Sequence, residues 1–171
     1  MQKKRKPECQ KILYEKYSRL MYGICLRYAP SHETAQDLLH DGFIKVFTVI
    51  DSYTGKGSLE GWMKRVFVNL ALENIRKMKM YPALEEIQNV PDIITDEWDE
   101  VESIREEELM KMIEELPDGY RTVFNLYAIE NFSHKEIAAM LGIAESTSRS
   151  QYIRARQLLQ EKILKFLKNK G

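Results

Sequence analysis

Apolar side chains recur at three- and four-residue intervals along most of this chain, while strict apolar/polar alternation is scarce, so the pattern predicts helices and few strands. Leu13, Tyr14, Tyr17, Leu20, Met21, Ile24, Cys25 and Tyr28 form a first run, which Pro30 and Ser31 interrupt. Ser31 and Thr34 offer capping groups for a second helix through Ala35, Leu38, Leu39, Phe43, Val46 and Phe47. A loop from Asp51 to Gly57 follows, and a third helix is expected from about Ser58 to Lys79, with an apolar stripe beginning at Trp62 and continuing through Val66, Asn69 and Leu70. The periodicity then fails. Tyr81-Pro82 and Val90-Pro91 disfavour helix, and acidic clusters carry few regularly spaced apolar residues, which predicts a linker over 81–100. From Val101 the helical period resumes through Ile104, Glu108, Met112 and Glu115, and Leu116-Pro117-Asp118-Gly119 reads as the turn that ends it. Val123, Phe124, Leu126 and Tyr127 mark the next helix.

The most specific pattern runs from Phe132 to Leu159. Ile137, Ala138 and Leu141 share one face of a short helix, Gly142 stands where a left-handed turn residue is needed, and Ile143 returns to the core. Glu145, Ser146 and Thr147 are polar residues suited to cap a second helix that carries Arg149, Arg154 and Arg156. This is the spacing of a helix-turn-helix, whose second helix enters the DNA major groove. An αα-hairpin with a basic exposed face would show the same apolar spacing.

Charge sharpens that reading. The whole chain has 26 basic and 26 acidic residues and no net charge. Residues 1–80, however, hold 15 Lys/Arg against 8 Asp/Glu (+7), residues 81–118 hold 2 against 14 (−12), and residues 119–171 hold 9 against 4 (+5). Two basic modules flanking an acidic connector are the footprint expected when separate modules touch nucleic acid or another acidic surface. The two cysteines lie at no metal-site spacing, and there is neither a secretory signal nor an apolar run long enough to span a bilayer, so a cytoplasmic, reduced protein without membrane insertion is expected. Cys25 reads as a buried small hydrophobe, and His32, His40 and His134 are individually unremarkable, a His40/Asp41 metal pair being weak. No phosphate-cradling glycine loop and no nucleophile with a paired base is present, so neither an enzyme nor a cofactor or metal is expected.

Three stretches together resemble the sigma-70 family of bacterial transcription initiation factors, in its small extracytoplasmic-function (ECF) type: DLLHDGFIKVF from Asp37, GSLEGWMKRVFVNLALENIRK from Gly57, and LPDGYRTVFNLYAIENFSHKEIAAMLGIAESTSRSQYIRARQLL from Leu116. The resemblance covers nearly the whole chain. It implies an all-α protein of two small helical domains, sigma region 2 (1–80) and sigma region 4 with its helix-turn-helix (101–171), joined by the acidic linker (81–100).

The same resemblance assigns roles. Asp37, Leu38, His40, Asp41, Phe43 and Phe47 occupy the positions that dock on the clamp helices of core RNA polymerase, with core packing the other reading of Phe43 and Phe47. Tyr53, Lys56, Trp62, Lys64, Arg65, Asn69, Asn74, Arg76 and Lys77 fall where the minus-ten element is held as single strands; Trp62 alone would also fit a core position. Ser146, Thr147, Arg149, Ser150 and Gln151 would face the minus-thirty-five groove, with Arg149 the preferred base reader and Arg154 and Arg156 on phosphates. Ser148 stands where most family members carry an apolar residue, and Gln151 replaces a frequent Arg. The implied partners are core RNA polymerase, promoter DNA and an anti-sigma factor. Two other readings remain: a one-component regulator that uses the helix-turn-helix alone, and an interaction protein that binds polymerase without initiating.

Overall fold

The computed structural model describes residues 6–77 and 103–171, and every regular element among them is helical. The chain divides into two compact units, Met1–Lys79 and Met80–Gly171. The expected linker and Val101 lie outside the described residues.

The first unit packs α1 (Pro7–Tyr28), α2 (His32–Val49) and α3 (Leu59–Lys77) pairwise against one another. Proline opens α1, where its missing N–H costs nothing. Ser31 caps α2, its hydroxyl accepting the Thr34 N–H at 3.1 Å. The core combines Met21, Ile24, Cys25 and Tyr28 of α1 with Leu38, Phe43 and Val46 of α2 and a continuous face of α3. Burial pushes the Cys25 thiol up to about 12, as befits a residue that serves as a small hydrophobe. At Gly42, α2 meets the Phe67 ring of α3. A Cβ there would collide with the ring of Phe67, so only glycine admits that ring, which also meets Phe43 edge-on at 5.3 Å.

The face that α3 buries differs from the one expected. Met63, Phe67, Val68, Ala71, Leu72 and Ile75 are in the core, whereas Trp62 and Val66 are half-buried and Asn69 is exposed. Both stripes have helical spacing. The one that wins buries more apolar surface and leaves the asparagine in water.

The second unit contains α4 (Glu106–Glu114), α5 (Asp118–Phe124), α6 (His134–Leu141) and α7 (Glu145–Lys170), with α5 running into a π turn, Asn125–Ile129. Helix α4 starts later than Ile104 because Arg105 is extended; Ile104 instead joins the apolar cluster that Leu109 packs against, a staple across the helix start. Asp118 and Gly119 are not the end of a turn but the first residues of α5. Arg121 secures this corner, donating to the Glu114 carbonyl at 2.9 Å and to the Asp118 carboxylate at 2.7 Å.

Between the π turn and α6 the chain passes through Asn131, at φ 61°, into a capping box. The Ser133 hydroxyl accepts the Glu136 N–H, and the Glu136 carboxylate accepts the Ser133 N–H at 2.8 Å. Gly142 then adopts φ 67°, ψ 36°, and the Ile143 N–H closes back to the Ala138 carbonyl at 3.0 Å. That left-handed residue makes the turn between α6 and α7. Helix α7 is the spine of the unit, packing on α4, α5 and α6 and contributing Ala155, Leu159 and Ile163 to the cluster.

Candidate functional site

The α7 segment after the turn separates into two sides. Thr147, Ser148 and Gln151 lie inward at the spacing of one helical face, and Ser150 is also buried, its hydroxyl donating to the Thr147 carbonyl at 3.0 Å. Thr147, Ser150 and Gln151 were expected to face a groove; their burial against the preceding helices removes them from it. Ser146 is half-buried, Arg149 is exposed, and Arg154 and Arg156 are partly exposed further along. Glu145 and Arg149 form an i,i+4 ion pair at 3.0 Å. In the free protein the guanidinium is therefore held at the surface by a partner weak enough to be exchanged.

The expected side-chain cap of α7 is absent. Ala144 takes the N-cap place with no side-chain hydrogen bond, so the first N–H groups of α7 remain available to an anion. Beside them lies an open recess of about 520 Å³, lined by Tyr127, Asn131 to Glu136, Glu145 and Arg149. His134 forms part of its wall, stacked on Tyr127 at 4.2 Å between ring centroids with an interplanar angle of 9°. Sequence reasoning passed over His134 because each histidine was weighed singly, whereas its role depends on two rings from other segments.

In the first unit, Trp62, Arg65, Asn69, Arg76 and Lys77 share the face of α3 opposite the core, at helical spacing. The loop before α3 leans an aromatic ring onto the start of that face: Tyr53 and Trp62 have centroids 5.6 Å apart at 47°. The Tyr53 hydroxyl donates to the Gly57 carbonyl at 2.7 Å, and Gly55 and Gly57 both adopt φ 76°, which together fold the loop back on itself. Ser58 starts the helix by accepting the Gly61 N–H at 3.0 Å. Lys56 is exposed on the loop. The structure thus brings a half-buried aromatic pair to the head of a polar and basic strip. Lys64 does not belong to that strip; it lies on another face and pairs with Glu60 at 2.9 Å. Asn74 is half-buried beside the core face.

On α2 the exposed positions Asp37, His40, Asp41 and Ile44 fall at i, i+3, i+4 and i+7, a single face. Leu38 and Phe43 face the other way, into the core, which for Phe43 is the packing alternative and which takes both off the exposed face expected to dock. Phe47 is half-buried and touches Phe43 at 5.9 Å. Ile44, 52% exposed in the middle of this polar face, was missed because it breaks the apolar period that identifies the core.

Comparison with known proteins agrees with the division into two units. A family model for "Sigma-70 region 2" matches residues 13–80, and one for "Sigma-70, region 4" matches residues 106–159. The ECF RNA polymerase sigma-E factor of Haemophilus influenzae is 26% identical over 163 residues, spanning 89% of this chain and 86% of its own length. The ECF RNA polymerase sigma factor SigE of Mycolicibacterium smegmatis is 30% identical over 157 residues, spanning 90% of this chain and 61% of its own. Among solved structures, the sigma factor RpoE of Bartonella quintana, crystallised with the anti-sigma factor NepR, matches with a TM-score of 0.56 over 91% of this chain and 96% of its own at 23% identity, a likeness of fold.

Proposed function

The chain belongs to the sigma-70 family, in its ECF branch, and from that membership we infer that it is a non-enzymatic factor that binds core RNA polymerase and directs it to promoters. Promoter recognition is divided between the units: the α3 strip and the Tyr53 loop take the single-stranded minus-ten element, and α7 takes the minus-thirty-five duplex. The observation that carries this division is the pairing of opposite chemistries. One unit presents aromatic rings beside Asn and Arg, which suits unstacked bases. The other presents Arg149 on a helix following a tight αL turn, which suits a major groove.

Neither surface needs high affinity, because polymerase holds both near one promoter and the second contact then forms at high effective concentration. The polymerase contact itself is assigned to Asp37, His40, Asp41 and Ile44 on α2, with Phe47 at the margin. An apolar residue centred among charges is the anatomy of an interface anchor. The protein works in the cytoplasm, where polymerase and promoters are; no helix among the described residues is long and apolar enough to cross a membrane. An anti-sigma factor that covers both basic units is the regulatory partner that fits this architecture.

Two substitutions test the assignments separately. Arg149→Ala should lower initiation on a promoter with a matched minus-thirty-five box by about 5- to 150-fold, the value of one good base contact, while leaving polymerase binding intact. Ile44→Asp should do the reverse, weakening capture of core polymerase by roughly tenfold or more without altering the melting temperature, as loss of a buried interface anchor does. Binding by fluorescence anisotropy and run-off transcription read the two effects. An Ile44→Asp protein that assembled normally would remove α2 from the polymerase contact.

A further inference from the structure

Because α7 lacks a side-chain cap, whatever fixes the rotation of its first turn must come from its buried side. Ser148 is wholly buried there, and a hydroxyl between two packed helices needs a partner. His134, the first residue of α6, supplies one: its Nδ1 lies 2.8 Å from the Ser148 Oγ. The imidazole is itself held in place. Tyr127 stacks on it, and Tyr152, one turn beyond Ser148, tilts against both rings, 5.8 Å from His134 and 4.5 Å from Tyr127. Burial, reinforced by the positive charge of Arg149, holds the ring below the usual histidine range despite the opposing pull of Glu145, which favours the neutral imidazole.

Resting on the reading of α7 as the groove helix, we propose that His134 and Ser148 are positioning residues for minus-thirty-five recognition, a polar latch that sets the roll of the first turn of α7 and thereby aims Arg149. The two residues act through their neighbour. Arg149 follows Ser148 by one position, about 100° around the helix, so a roll that stretched the latch would swing the guanidinium sideways across the groove. A plain apolar contact at position 148 would resist such a roll weakly, since it has no preferred direction; a hydrogen bond backed by an oriented ring does have one. Recognition sites need their contacting groups held to within about 0.5 Å.

The test uses holoenzyme reconstituted with core polymerase, and two templates that differ only in a matched or scrambled minus-thirty-five box. His134→Phe keeps the stack on Tyr127 and removes Nδ1; Ser148→Ala removes the hydroxyl with little change in volume. Each should lower promoter affinity about three- to tenfold on the matched template, the size expected for one partly buried hydrogen bond, and leave the scrambled template unchanged. The double variant should be no worse than either single one. His134→Asn, which returns a polar atom to the place of Nδ1, should recover part of the loss. In an Arg149→Ala background none of these changes should matter, a result that a merely structural role would not give, and melting curves taken alongside identify any variant that is unfolded at the assay temperature. Additive losses, equal losses on both templates, or undiminished losses without Arg149 would overturn the latch. If the wild-type holoenzyme failed to distinguish the templates, the assignment of α7 would fall first, and the latch with it.

Discussion

Phe67→Ala should destabilise the first unit by about 3–5 kcal/mol, the cost of removing a wholly buried aromatic ring from a packed core. For a small helical unit this is a large share of total stability, since whole domains hold only about 5–15 kcal/mol. The ring occupies the space that Gly42 leaves and braces Phe43, whose other ring neighbours are Tyr14 and Phe47, so its loss reaches both α1 and α2. Thermal melting by circular dichroism and hydrogen exchange over residues 13–77 measure it. A paired test fixes the cause: Gly42→Ala should cost about 1–3 kcal/mol in the wild type by overpacking, and clearly less in a Phe67→Leu background, where the ring is gone. Additive penalties would mean that the two residues do not share one space.

The second large effect belongs to the aromatic pair. Replacing both Tyr53 and Trp62 with alanine should weaken binding of a single-stranded minus-ten oligonucleotide to holoenzyme by roughly 5- to 150-fold, because stacking contributes about 1–3 kcal/mol per base. Trp62→Phe keeps a ring and should lose much less. Tyr53→Phe separates stacking from loop geometry, since it removes only the hydrogen bond to the Gly57 carbonyl. Should the double alanine variant bind the oligonucleotide as the wild type does, the pair would be internal support for the loop and the bases would lie elsewhere.

Much of the architecture was legible in the sequence, and the exceptions have a common cause. Helix order, the break at Pro30, the Ser31 cap and the left-handed Gly142 follow from local chemistry that tertiary packing does not override. Periodicity is ambiguous wherever two stripes compete. On α3 the stripe through Trp62 and the one through Met63 differ by a single residue, and only the partners α1 and α2 decide between them. The same limit affected α7. A run of small polar residues, Ser146 to Gln151, reads as a groove face because polar residues usually meet water; here Thr147, Ser148, Ser150 and Gln151 are buried, and Ser148 is satisfied by a histidine 14 residues away in sequence. The π turn and the late start of α4 are invisible to pattern counting, since each arises from where the next element must pack. Residue type and motif therefore say less about facing than about chemistry: Arg149 is exposed and Trp62 half-buried, while Leu38 and Phe43 belong to the core.

The exposed side of α2 shows the converse lesson. Ile44 interrupts an otherwise polar face, so a search for amphipathic order discards it, although an apolar residue that the fold does not need is a good pointer to a partner. In the proposed polymerase contact, its neighbours Asp37 and Asp41 would supply orientation, since charges at an interface set register and encounter rate more than affinity.

On the function proposed above, this chain directs core RNA polymerase to promoters through two boxes read at once. Transcription reconstituted from the purified protein and core polymerase on a library of random upstream sequences, with a control lacking the protein, tests it most directly. The expected result is a set of defined transcripts that depend on the protein and are preceded by two enriched boxes, one near minus ten and one near minus thirty-five. Polymerase binding without protein-dependent transcripts, or enrichment of a single palindromic duplex site that requires no polymerase, would contradict it.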